Sequence, residues 1–332
     1  MYILRNILIV SIVSNLCNGQ QPADSEANAR TIETLSYISG LPMQNKYLSG
    51  QFTGVSGITF NMSKINAIAS LTGHVPAIIG CDYCNEWDQA IPPQTLINYS
   101  CNSFLKDHSN SGGFIEINTH YSNPVSPNGG NIRNRLNLTF TELLNVSTET
   151  GKRWQSYLDI VAAGLNDLQQ SNVTVLYRLF HEMNGGWFWW GKQDPSLFKQ
   201  VWISVFDYFT TEKGLHNILW VYAPDQGAGN PSIYYPGDNY VDIVALDVYT
   251  NNPSLMNGYY EMIQLNKPFG LSEIGPLNAN GNFDYGLWPI AIQNQFNLTT
   301  YFYAWDGRWA PTANRNTYDL FTNTHVINRD QI

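Results

Sequence analysis

Two carboxylic acids in this sequence, Glu182 and Glu273, each close a short apolar run. Residues 174–180 (Thr-Val-Leu-Tyr-Arg-Leu-Phe) lead into His181-Glu182, and residues 268–272 (Pro-Phe-Gly-Leu-Ser) lead into Glu273-Ile274-Gly275-Pro276. An acid at the end of a buried strand sits at the rim of a sheet, fixed by its own strand yet able to meet a ligand. Two such acids are the minimum equipment for cleaving a glycosidic bond: one, protonated, donates to the leaving oxygen, and the other, ionised, attacks the anomeric carbon. The surroundings of Glu182 suit that chemistry. Gly185 and Gly186 break the regular structure, and Trp187-Phe188-Trp189-Trp190 follow as flat faces for a sugar ring. An isolated Glu in apolar surroundings is more often tied to a backbone amide. Four aromatics beside a Gly-Gly break are harder to bury together, and they tip the reading towards a site.

The elements that must hold these acids alternate along the chain. Apolar runs at 46–52, 74–80, 113–118, 174–180, 217–222, 241–246, 268–272 and 299–304 predict eight strands. None shows polar alternation, the pattern of parallel strands covered on both faces. Helices are predicted between them at 25–38, 61–71, 93–106, 152–170, 195–212, 255–264 and 287–294. The clearest carries Leu158, Val161, Ala162, Leu165 and Leu168 on one stripe. Eight β/α units without a linker or composition shift predict a single-domain (β/α)8 TIM barrel over residues 20–332. A doubly wound open sheet is the alternative, but no Gly-x-Gly-x-x-Gly turn follows the first strand. Working residues of a barrel cluster at the C-terminal strand ends. Those positions hold Gln51, Asp82, His120, His181-Glu182, Asp225, Asp247 with Tyr249, Glu273, and the run Trp305 to Trp309 that includes Arg308. Strands four and seven face each other across the axis, so Glu182 and Glu273 are expected to approach the roughly 5–5.5 Å of a retaining mechanism.

Composition narrows the ligand. Charged residues are 13% of the 332, aromatics are 14% and the formal net charge is −9. With no cationic stripe for phosphates, nucleic-acid binding is excluded; neutral, ring-shaped ligands fit better. Rival chemistries fail on spacing. His181-Glu182 has no second His four residues on, and Gly54-Val55-Ser56-Gly57 is not a nucleophile elbow. No dense acidic loop offers a calcium site, and Cys81-Asp82-Tyr83-Cys84 lacks a second ligand pair for zinc. Neither metal nor cofactor is expected. Residues 1–19, with Arg5 before the apolar run 7–13, have the form of a secretory signal peptide. The run is too short to span a bilayer, so a secreted, extracellular, soluble protein and a monomer are expected. Removing the leader takes Cys17 away and leaves Cys81, Cys84 and Cys101, from which one disulfide is expected, Cys101 pairing with Cys81 or Cys84. Sequons occur at Asn61, Asn98, Asn137, Asn145, Asn172 and Asn297.

The run 178–191 (Arg-Leu-Phe-His-Glu-Met-Asn-Gly-Gly-Trp-Phe-Trp-Trp-Gly) resembles the acid/base signature of glycoside hydrolase family 26, the β-mannanases of clan A. Further landmarks follow in order: Ser-Gly-Gln-Phe (49–52), His120 with Asn123-Pro124, Val-Asp-Ile-Val-Ala-Leu-Asp-Val-Tyr (241–249), Leu-Ser-Glu-Ile-Gly-Pro (271–276) and Tyr-Phe-Tyr-Ala-Trp (301–305). The resemblance implies that Glu182 is the general acid/base, Glu273 the nucleophile and Tyr249 its hydrogen-bond donor. It implies that His120 and His181 flank the scissile sugar and that Trp187 and Trp305 are the platforms either side of it. Asp82, Asp247 and Arg308 complete the expected binding set. The implied substrates are β-1,4-mannan, glucomannan, galactomannan or manno-oligosaccharides. β-1,3-Xylan and mixed-linkage β-glucan are the alternatives within the family. A non-catalytic sugar-binding barrel would keep the tryptophans but has no need for two opposed glutamates.

Overall fold

A computed structural model describes residues 20–84, 93–127, 132–133 and 140–332. The expected signal peptide with Cys17 and the sequon at Asn137 lie outside the described residues. Eight parallel strands form a closed ring: β1 Gly50–Val55, β2 Ile78–Asp82, β3 Phe114–Asn118, β4 Val175–Arg178, β5 Ile218–Tyr222, β6 Ile243–Tyr249, β7 Phe269–Gly275 and β8 Thr299–Ala304. Closure occurs at Gln51, which pairs with Ile79 on one side and Ala304 on the other. Register stacks like on like, with Ile79, Ile115, Val175 and Ile218 side by side across four strands. Branched side chains fill such a pleated surface well. A short pair, Tyr47–Leu48 with Val326–Ile327, extends the sheet beside β8, where Leu48 pairs with Tyr301.

Helices α1 Ala29–Gly40, α2 Ser63–Thr72, α3 Asn102–Asn110, α4 Glu149–Gln169, α5 Pro195–Asp207, α6 Tyr259–Met262, α7 Leu287–Gln295 and α8 Thr317–Phe321 accompany the strands. The α4 stripe is buried as its spacing predicts. Thr148 starts that helix, its side chain accepting from Gly151 N at 2.9 Å.

Four strands run further than their expected ends, β1 among them, which reaches Val55. β2 reaches Asp82, β6 reaches Tyr249 and β7 reaches Gly275, with Asp247 paired to Glu273 and Tyr249 to Gly275. A parallel ladder is made of backbone bonds and does not require the side chains to stay apolar. Asp82, Asp247 and Glu273 therefore stand within strands, more rigidly than residues in loops, whereas β4 stops at Arg178, short of the expected Phe180, and Glu182 lies in the turn beyond it. Two predicted helices are broken. The 93–106 helix becomes a 3₁₀ turn at Pro93–Leu96 and α3, because Asn98 and Ser56 take the backbone N–H groups of Ser100 and Cys101 at 2.7 and 3.1 Å. The 255–264 helix shrinks to one turn, α6, entered through Gly258 at φ 81°. α8 is an element the sequence reading lacked. Cys81 bonds to Cys101, settling the pairing, and Cys84 is buried outside it. The sequon asparagines 61, 98, 145, 172 and 297 are all exposed. Among the described residues no helix is long and apolar enough to cross a membrane.

Candidate active site

The chain leaves β4 through an unusual turn. Phe180 and Glu182 both take left-handed backbone angles, φ 48° and 53°, a conformation that costs a non-glycine residue of order 1 kcal/mol or more. The turn is clamped where Glu182 N donates to Ala223 O at 2.7 Å. Gly185 is required beyond it: a Cβ there would lie 2.4 Å from the indole of Trp187. That indole lies over the turn, 37% exposed, and its Nε1–H donates to Glu182 Oε2.

The four aromatics divide. Trp187 and Phe188 face the cavity, whereas Trp189 and Trp190 are core. The latter two donate to the carbonyls of Tyr121 and His181 at 2.7 and 2.8 Å. The expected four-ring floor is thus half floor and half foundation, since a buried indole must spend its N–H on a fixed acceptor.

Below the turn, the fully buried Arg178 organises the opposite wall. Its Nη2 donates to Glu273 Oε1 at 2.6 Å, its Nη1 to Asp247 Oδ2 at 2.7 Å, and its Nε to Asn118 Oδ1 at 3.2 Å. Glu116 Oε1 lies 3.3 Å from Nε. Three strands are tied to β4 through one guanidinium. Tyr249 OH donates to the other oxygen of Glu273 at 2.6 Å, and Ser272 Oγ donates to Asp247 Oδ1 at 2.7 Å.

The two glutamates share a cavity of about 400 Å³, within the size range of ligand pockets. Their environments differ. Burial pushes the Glu182 carboxyl up to about 8, with the charges of Glu273 and then Asp225 adding to it. Glu273, by contrast, is held by a cation and a phenol. A carboxyl that keeps its proton beside one oriented by a cation and a phenol suits an acid and a nucleophile. His181 is driven well below its ordinary range by burial and then by His120 and Arg178, so it enters the site as neutral imidazole. Its Nε2 lies 4.0 Å from Glu273 Oε1. His120 meets His181 edge-to-face at 4.3 Å and is held at Nδ1 by Asp82. Trp305 stacks on Phe52 at 4.1 Å, its carbonyl accepting from Gln51 Nε2 at 3.1 Å.

Seven of the expected residues line this cavity: Glu182, Glu273, His120, His181, Trp187, Tyr249 and Trp305. The other three stand back from it. Asp82 orients His120 and Asp247 orients Arg178, both from buried positions. Arg308 is exposed, its guanidinium 4.4 Å above the ring of Trp309; it is Trp309 that reaches the cavity. Phe188 lines the cavity as the expected aromatic floor implied, but sequence reasoning missed Arg133 as a lining residue and Arg178 as the support of Glu273. A lone cation in an apolar strand was the available signal for Arg178. Nothing in the polar loop after β3 singled out Arg133. The ligand atoms of His181, Asp247 and Glu273 lie within 4.8 Å of one another, a spacing a cation could use. Arg178 already places positive charge between the two carboxylates.

Residues 23–331 match the family model described as glycosyl hydrolase family 26. A mannan endo-1,4-beta-mannosidase of Bacillus subtilis is 38% identical over 321 residues, covering 94% of this chain and 89% of that protein. The mannan endo-1,4-beta-mannosidase A and B of Caldalkalibacillus mannanilyticus is 40% identical over 340 residues; the alignment takes in 98% of this chain but only 66% of that protein. The solved structure of the Bacillus subtilis mannanase BCman superposes with a TM-score of 0.90 at 37% identity, covering 94% of this chain and 96% of that one. The closed eight-stranded barrel, the paired glutamates at its mouth and these likenesses agree, and the chain belongs to glycosyl hydrolase family 26.

Proposed function

We propose that this chain is a secreted, retaining endo-1,4-β-mannosidase acting on mannan. The observation that carries the chemistry is the contrast between the two carboxyls of one cavity. Glu182, pushed up to about 8, holds a proton at neutral pH; Glu273 is oriented by Arg178 and Tyr249. In the first step Glu182 gives its proton to the glycosidic oxygen as Glu273 bonds to the anomeric carbon and the leaving chain departs as an alcohol. In the second, Glu182, now a carboxylate, takes a proton from water, whose oxygen displaces Glu273 and restores the β configuration. Trp187 and Trp305 supply the faces against which the sugars stack. The substrate reading is supported by the names of the relatives at 38% and 40% identity. Export is supported by the leader-like residues 1–19 and by the Cys81–Cys101 disulfide, a bond that persists in oxidising compartments.

Glu273→Ala with sodium azide tests the mechanism. Lost activity that azide restores, yielding an α-glycosyl azide, is the expected result; an unchanged rate without azide overturns it. Reducing-sugar release from galactomannan, compared with β-1,3-xylan and mixed-linkage glucan, tests the substrate. Activity confined to either of the last two would replace mannan.

A further inference from the structure

The register between β4 and β5 ends with Arg178 beside Val221, short of Glu182. Phe180 and Glu182, both left-handed, then take the chain out of line. The acid/base must nonetheless be held against the sheet. One backbone bond does part of this, from Glu182 N to Ala223 O at 2.7 Å. The next contact comes from a side chain. Asn184 is buried; its Oδ1 accepts from Asp225 N and its Nδ2 donates to Asp225 O, both at 2.8 Å. Nδ2 also reaches Gly229 O at 3.4 Å. A primary amide offers the C=O and N–H of a peptide unit, so Asn184 pairs with Asp225 much as a strand residue would. Its donors and its acceptor are spent on backbone groups.

On its other side the 224–226 segment is paired by backbone alone. Asp247 N donates to Pro224 O at 3.0 Å, Gln226 N donates to Asp247 O at 3.1 Å, and Asp225 bridges Asp247 in parallel. Asp247 stands in register with Glu273 on β7. Asn184 is therefore a link in a chain of contacts that joins the turn of the acid/base to the strands that carry the nucleophile. Alanine at this position would leave the N–H and C=O of Asp225 without these partners and loosen the turn at Glu182. It would also loosen the loop of Asp225, whose charge, after burial and the charge of Glu273, helps to keep the Glu182 carboxyl up.

We propose that Asn184 is a positioning residue for the acid/base, its side-chain amide continuing the β4–β5 pairing past the end of the strand so that Glu182 is held in place opposite Glu273. The role rests on the retaining-glycosidase reading. Asn184→Ala is compared with the unmodified enzyme on two substrates: linear mannan, whose leaving sugar needs a proton, and a dinitrophenyl β-mannotrioside, whose phenolate leaves without one. On mannan kcat/KM should fall about 100-fold, the scale of a displaced reacting group. On the aryl glycoside it should stay within about threefold, because its first step takes no proton from Glu182. An equal fall on both substrates marks a general loss of structure and overturns the positioning role; an unchanged kcat/KM on mannan overturns it too. Asn184→Asp keeps the acceptor for Asp225 N and loses the donors. It should show the same split at smaller amplitude, and it decides the matter if the alanine variant does not fold. If the unmodified enzyme cleaves neither substrate, the glycosidase reading fails and takes this role with it. If it cleaves both and the variants match it, only the role of Asn184 is lost.

Discussion

Replacing Trp187 by Phe keeps an aromatic face in the cavity, though a smaller one, and removes the Nε1–H that donates to Glu182 Oε2. A donor on a carboxylate stabilises its charged form, so losing it makes Glu182 harder to ionise. Hydrogen bonds to charged groups contribute about 1.5–3 kcal/mol. The Trp187 ring is 37% exposed, so water competes and the lower figure applies. At about 1.4 kcal/mol per pKa unit, the Glu182 carboxyl should move up by about one unit from its starting position near 8. Because Glu182 must be protonated in the first step, activity falls as pH rises through that value. The basic limb of kcat/KM against pH, which reports the free enzyme, should therefore sit near 8 in the unmodified protein and about one unit higher in Trp187→Phe. Lost stacking would lower the whole profile without displacing the limb, so height and position separate the two roles of this residue. A limb that stays in place, or moves to lower pH, refutes the assigned hydrogen bond and its sign.

Tyr249→Phe removes the hydroxyl that donates to Glu273 Oε2 at 2.6 Å. It should lower kcat/KM on mannan by about 10- to 100-fold, from the strength of a charge-assisted bond, and a rate within twofold of the unmodified enzyme would show that Arg178 alone suffices. Cys101→Ser opens the disulfide to Cys81, which spans 20 residues of sequence. Chain entropy alone then predicts a loss of about 3 kcal/mol, read as a lower urea midpoint with unchanged specific activity below the transition; an unmoved midpoint would count against it.

The fold was legible because a parallel barrel writes itself as apolar runs at regular intervals, and all eight strands lie at or within a few residues of those runs. The paired acids were legible for a related reason: Glu182 and Glu273 are the points at which apolar sequence stops. What escaped was anything decided by backbone bonds or by partners distant in sequence. β6 and β7 continue past their apolar residues because each supplies the other's ladder. Trp189 and Trp190 differ from Trp187 only in the carbonyls that receive their N–H groups, from Tyr121 and His181. Trp309 displaces Arg308 from the cavity because one short 3₁₀ turn, Gly307–Trp309, decides which side chain points inward. Composition carries none of that information.

The contrast between two chemically identical side chains on one barrel rim traces to Arg178. A guanidinium in the barrel interior is costly unless its donors are all satisfied, and here the acceptors come from three strands. Glu116 is the member that resolves the charge balance. Both its oxygens lack hydrogen-bond partners, and burial pushes its carboxyl up to about 8 against the opposing pull of Arg178. At neutral pH it is therefore mostly protonated; burial pushes Asp247 up as well, but Asp247 and Glu273 accept directly from the guanidinium at 2.7 and 2.6 Å, which Glu116 does not. Glu182 receives only an indole N–H and sits above, in a strained turn, where the charge of Glu273 works against its ionisation. One buried cation, by favouring the acid on β7 over the acid after β4, thus gives the first the form of a nucleophile and leaves the second its proton.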